Sequence, residues 1–212
     1  MSKKKIITSI ITGDIINSRK NNTKLWLPVL KKTLARTGQS PQNWEIFRGD
    51  SFQVEVKNPA DALLTAILIK AHIKAIKNLD VRMAIGIGEK DFTANNITES
   101  NGEAFIHSGE RLESLKQEKQ NLAVKSRWPD FDRDINLYLR LALIAMDNWS
   151  TSAADLIKIL LDNPDITQMK LATKLKITQS AVSGRQKRAY YNEVKELEVL
   201  YREKITNLLR TI

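Results

Sequence analysis

Between Ile166 and Asn192 the chain reads ITQMKLATKLKITQSAVSGRQKRAYYN, with six Lys or Arg and no Asp or Glu. Leu171, Leu175, Ile177 and Val182 recur at the spacing of two short helices joined by a tight turn. Ala172 is small enough to let those helices approach closely, and Lys176 occupies the turn. Thr178 is placed to cap the second helix. Gln179, Ser180 and Ser183 then fall on its leading turns, where short polar groups can meet base edges or phosphates. Arg185, Lys187 and Arg188 follow on the same helix and suit phosphates or guanines. Arg185 takes a position where an apolar anchor is usual, and Ala189 one turn on can replace it. Cationic charge laid over a helical pair favours double-stranded DNA, because phosphates supply attraction and a protruding helix supplies readout.

The rest of the composition narrows the class. A chain of 212 residues with 42% hydrophobic content has room for one large domain or two ordinary ones, each with a real core. The net charge is +10: twenty-three basic and seventeen acidic residues up to residue 150 give +6, and eleven and seven beyond it give +4. There is no cysteine, which excludes disulfides, thiolate nucleophiles and thiolate-bound zinc together. With only His72 and His107, a multi-histidine metal site is excluded too. The opening MSKKKIITSIITGD is too short and β-branched for a signal peptide, and Asn136 and Arg140 interrupt the apolar run Ile135 to Met146. A soluble, cytoplasmic protein with no membrane partner is the expectation.

Before residue 128 the pattern alternates. Lys5 to Ile16 reads as a buried strand, and Trp26, Leu27, Leu30 and Leu34 as a helix with Gly38 as its stop. Trp44–Phe47 and Phe52–Val56 form a hairpin around Arg48-Gly49-Asp50-Ser51. A helix from Pro59 to about Lys77, a strand over Val81–Ile87, a helix over Gly102–Lys116 and a strand over Asn121–Lys125 complete the series. The order β-α-β-β-α-β-α-β is that of a ferredoxin-like unit with an added helix and strand, an antiparallel sheet with helices on one face. Trp128-Pro129-Asp130 then marks a boundary. Helices are expected over 132–148, 152–162 and 166–175 and from 179 toward the end, with no strand. The fold class is α+β, with an α+β domain over 1–127 and an all-α domain over 131–212.

Val194, Leu197, Tyr201, Ile205 and Leu208 form a near-heptad seam beyond Asn192. It fits either a homodimer contact or packing on the chain's own helix 132–148, whose Leu137, Leu141, Ile144 and Trp149 need partners. In the first domain, Gly13-Asp14 ends the first strand and Gly49-Asp50 sits in the hairpin turn. In such a fold the two strand ends are neighbours, so Asp14 and Asp50 can face each other and hold one or two Mg²⁺ or Mn²⁺ ions that take nucleotide phosphates. Arg19 and Arg48 flank the acids and suit phosphate contact. The ordinary alternatives are a capping role for Asp14 and a turn role for Asp50.

The segments GDIINSR, RGDSF, VRMAIGIG and NGEAFIHSGERLESL resemble the SatD-like family over most of the chain. Up to about residue 125 they are similar, more distantly, to the palm-type catalytic domain of class III nucleotidyl cyclases. The region 150–192 resembles the helix-turn-helix of bacterial sigma-region-four and MarR-like regulators. The cyclase resemblance implies metal binding by Asp14 and Asp50 and triphosphate binding by the backbone around Ile15 and Ile16. It also implies an Asn and an Arg on the last helix; Arg111 is available there and no Asn is in register. The expected function is a DNA-binding transcriptional regulator whose cyclase-like domain senses a nucleotide-type ligand. The alternative is a metal-dependent nucleotidyl cyclase, or related phosphoryl-transfer enzyme, with a DNA-binding appendage.

Overall fold

In the computed structural model the described residues are 6–211, so Lys5, the expected start of the first strand, lies outside them. Five strands form one sheet: β1 (Ile7–Ile16), β2 (Trp44–Phe47), β3 (Ser51–Val56), β4 (Asp80–Glu89) and β5 (Leu122–Lys125). Three helices are interleaved with them: α1 (Thr23–Leu34), α2 (Ala62–Lys74) and α3 (Glu103–Glu118). Five more follow: α4 (Pro129–Met146), α5 (Thr151–Asp162), α6 (Gln168–Leu175), α7 (Gln179–Arg188) and α8 (Tyr191–Leu209). The sheet order is β2-β3-β1-β4-β5, antiparallel except for the β4–β5 pair.

Alternation along β1 divides its side chains between two layers. Ile11 and Ile15 point into the main core with Trp26, Leu30 and Leu34 of α1 and Ala66 and Ile67 of α2. Ile10 joins Ala104 and Phe105 on the other face, and Ala84 joins Leu112, Leu115 and Ala123. The added helix α3 therefore covers the face opposite α1 and α2, which corrects the expectation of helices on one face. Its close approach needs Gly86, since a Cβ there would stand 2.1 Å from the Ala104 carbonyl oxygen. The Oγ atoms of Thr12 and Ser108 meet at 2.9 Å in the same layer.

The main core runs on from the sheet into α4, α5 and α8 without a break. Polar contacts brace this junction. Lys70, with no exposed surface, sits 2.8 Å from Asp80 and 2.6 Å from Asp147, the residue after α4. Lys74 donates to the Asp147 carbonyl at 2.8 Å, and the buried Tyr201 hydroxyl on α8 donates to the Pro59 carbonyl at 2.9 Å. His72 and Arg36 both meet Asp162 at the end of α5.

Two boundaries differ from the sequence reading. α1 ends at Leu34, before Gly38, with Ala35 as its C-cap. The helix expected from 179 toward the end is two helices, since Tyr190 takes the left-handed region at φ 53° and turns α8 away from α7.

Candidate functional site

The α6–α7 pair rests on side chains that the sequence pattern named. Leu171 and Val182 are fully buried, Ala172 is 7% exposed, and Ala189 is fully buried one turn beyond Arg185. Arg185 is half-buried on that inner side, so Ala189 does supply the apolar anchor. The Trp149 indole donates to the Ala189 carbonyl at 2.9 Å and pins the end of α7 to the α4–α5 corner. The turn depends on Lys176, held left-handed at φ 54°. Each helix opens on a threonine cap: Thr167 accepts from the Lys170 amide and Thr178 from the Ala181 amide.

Gln179, Ser180, Ser183, Lys187 and Arg188 are all exposed. Five of the six cations of this stretch are exposed and Arg185 is half-buried, and among the described residues none of them joins a salt bridge. Sequence reasoning missed Gln168. Gln179 Nε2 donates to Gln168 Oε1 at 3.3 Å, and Gln168 Nε2 donates to Gln186 Oε1 at 3.1 Å. The chain of amides ties the exposed Gln179 to Gln168 of α6. A signal was present: Ile-Thr-Gln occurs at 166–168 and again at 177–179, once at the start of each helix.

At the other candidate site, Asp14 pairs with Ser51 across β1–β3 and with Arg82 across β1–β4. Arg82 Nη1 stands 3.5 Å from Asp14 Oδ2, while Asp14 Oδ1 is buried with no hydrogen-bond partner. Burial pushes the Asp14 carboxyl above its usual range against the pull of Arg82 and Lys116, and the nearby Asp50 adds to the rise. Asp50 accepts a short hydrogen bond from Ser18. The Asp50 carbonyl accepts from the Ile15 amide at 3.1 Å, which engages that amide within the protein; the Ile15 side chain is buried, and Ile16 is half-buried in register with Asp80.

Arg19, Arg48 and Asp50 line one cleft of about 180 Å³ with Ser18, Thr23 and Trp26. The Trp26 indole N–H is buried there without a partner. Asp14 is not among those lining residues, so Asp50 is the residue that both sets share. Among the described residues no group of three or more His, Cys, Asp or Glu converges. Asp14 and Asp50 are the two acids at this sheet end that a cation could draw on, with water and phosphate left to complete its shell. The other sequence candidates are engaged elsewhere. Arg111 forms a two-pronged pair with Glu118 at 2.6 and 2.9 Å, and His107 Nδ1 lies 2.9 Å from the Ile87 carbonyl oxygen.

Among the described residues no helix is long and apolar enough to cross a membrane. The model of the SatD family matches residues 6–206, so the chain belongs to that family. No curated protein and no solved structure matches it.

Proposed function

We propose that this SatD-family protein is a DNA-binding transcriptional regulator, with α6 and α7 as its helix-turn-helix and the sheet end as a sensor for a nucleotide-type ligand. One observation carries the reading: α7 presents exposed, unpaired cations and short polar groups on one outward surface, on a helix anchored by buried Val182 and Ala189. Lys187 and Arg188 serve the phosphates, while Gln179, Ser180 and Ser183 face the base edges. Gln179, braced by Gln168, offers one acceptor and one N–H, the pattern that an adenine edge complements in the major groove. Arg185, half-buried, supports the helix and reaches phosphate from its inner side.

The test is anisotropy of labelled duplex DNA across a salt series. Lys187→Ala with Arg188→Ala should lower the slope of log affinity against log salt by roughly two, about one for each lost phosphate contact. Failure of the unaltered protein to bind duplex at low salt would end this reading.

In the same proposal, Asp14 and Asp50 hold Mg²⁺ or Mn²⁺, and Arg19, Arg48 and the Trp26 N–H receive phosphate oxygens, with Ile15 and Ile16 framing the site. The unpartnered oxygen of Asp14 supports this, because a buried carboxylate oxygen lacks its stabilising partner until a cation or donor arrives. Ligand occupancy would reach α7 through α4, whose end is tied to α2 and β4 by Lys70 and Asp147. Operator affinity measured with and without Mg²⁺ and a nucleoside triphosphate checks the coupling, and equal affinities would remove it. The same orphaned oxygen favours a second reading, a metal-dependent nucleotidyl cyclase or related phosphoryl-transfer enzyme with a DNA-binding appendage. That reading requires turnover of ATP or GTP with Mn²⁺ that disappears in Asp14→Ala.

A further inference from the structure

α4 carries apolar residues on two faces, and only one is used inside the chain. Ile135, Leu139, Leu143 and Met146 are buried in the main core. Leu137 (46%), Leu141 (59%) and Ile144 (69%) are exposed on the other side. Tyr190 at the start of α8 and Val199 within it are exposed as well. These five make up half of the ten large apolar side chains exposed among the described residues; Leu141, Ile144 and Tyr190 border one groove, while Val199 lies off it beside Asn192, Lys195 and Glu203. Between α4 and α8 lies an apolar groove of about 650 Å³, lined by Tyr138, Leu141, Ile144, Tyr190, Leu197 and Leu200. A concentration of this kind marks an interaction surface more often than chance exposure.

We infer that a second copy of this chain covers the face, forming a two-fold homodimer through α4 and α8. The surface contains what an isologous contact needs on a single patch. It has a ridge, Leu137-Leu141-Ile144, and beside it a groove able to receive the same ridge from a partner. It also carries both signs of charge. Exposed Arg140 stands next to the ridge, and exposed Glu193 and Glu196 border the groove. Among the described residues none of these three joins a salt bridge, although the Arg140 charge acts on Glu118 of α3. Antiparallel docking brings Arg140 of each copy to the acidic rim of the other. The two glutamates turn DNA phosphate away from this face, so it is not an extension of the α7 surface. Of the seam expected from the sequence, Val194, Tyr201 and Ile205 are buried in the chain's own core, while Leu197 lines the groove. The inference does not depend on what α7 binds. If α7 reads DNA, the dimer sets the spacing of the two readers, since the groove begins at Tyr190, two residues after α7 ends.

The experiment is light scattering coupled to size exclusion on the full chain, without DNA, over a micromolar concentration series. The unaltered protein should elute with the mass of a dimer. Leu141→Glu with Ile144→Glu should give a monomer with unchanged far-ultraviolet dichroism and melting temperature, as both side chains point to solvent. Arg140→Glu should weaken the dimer, and adding Glu193→Arg and Glu196→Arg to it should restore it, a rescue that general damage to folding would not produce. A monomer for the unaltered protein at every concentration overturns the inference. So does a dimer that survives Leu141→Glu with Ile144→Glu, or a partner found on this face only as a different protein.

Discussion

The sheet end and the α6–α7 pair both gather charge, but they hold it differently. At the sheet end the two acids are half-buried and each has a partner, Asp14 in Arg82 and Asp50 in Ser18, with Arg19 and Arg48 exposed beside them. On α7 the cations are exposed and unanswered. A half-buried cluster of both signs suits a small ligand that replaces water at short range, because electrostatics there are stronger and more geometry-dependent than in open solvent. An exposed, one-signed surface suits a polyanion whose counterions are released on contact. The comparison separates two kinds of recognition on one chain, and each can be perturbed alone.

The largest effect should come from the link between the two regions. Lys70→Ala leaves Asp147 without its buried cation and Asp80 with Lys74 alone, and should cost about 3–5 kcal/mol of stability in urea unfolding. Lys70→Met, which keeps the packing, should cost less than Lys70→Ala; equal losses would show that charge rather than packing dominates the junction. Next is the loss of base preference. Gln168→Ala should leave overall duplex affinity and its salt slope nearly intact while weakening discrimination at one adenine by about 1–3 kcal/mol, read from binding to single-base variants of a selected site. An unchanged preference would make the glutamine chain merely structural.

Proton linkage sharpens the contrast further. The Asp14 carboxyl is raised by burial, so it takes up a proton before an ordinary aspartate does as pH falls. Mn²⁺ binding, followed by the metal's own relaxation signal, should therefore weaken at a higher pH than an exposed acid pair would show, and DNA binding by α7 should not follow it. His72 moves the other way: burial lowers its pKa against the pull of Asp162. The unfolded chain then protonates first, so stability is fully present above the ordinary value of 6.5 and declines as pH falls below it. His72→Gln should remove that acid-side decline. The smallest effect is local. Lys176 holds a left-handed turn that glycine adopts freely, so Lys176→Gly should stabilise the protein by about 0.5–1 kcal/mol, seen as a higher melting temperature.

Much of this arrangement was legible before any coordinates. Every strand and most helices lie close to where apolar spacing, Pro59 and the Thr178 cap place them, because those signals are local. Asp14 and Asp50 could be placed at one sheet end because a hairpin and its neighbouring strand leave little choice of register. Gln168 was missed because its role exists only when two helix starts, eleven residues apart, come together. The cleft that joins Arg19, Arg48 and Trp26 was equally out of reach, since it depends on how α1 sits over the hairpin.

By itself the sequence determined the order of elements, the cationic surface of α7 and the short-range chemistry of caps and turns, all of which act over a few residues. Tertiary structure alone decided which face of the sheet α3 covers, where the last helix breaks at Tyr190, and which of the two apolar stripes on α4 is buried. Periodicity reports that a stripe exists and not what lies against it. Ile135-Leu139-Leu143 and Leu137-Leu141-Ile144 look alike until the rest of the chain chooses between them.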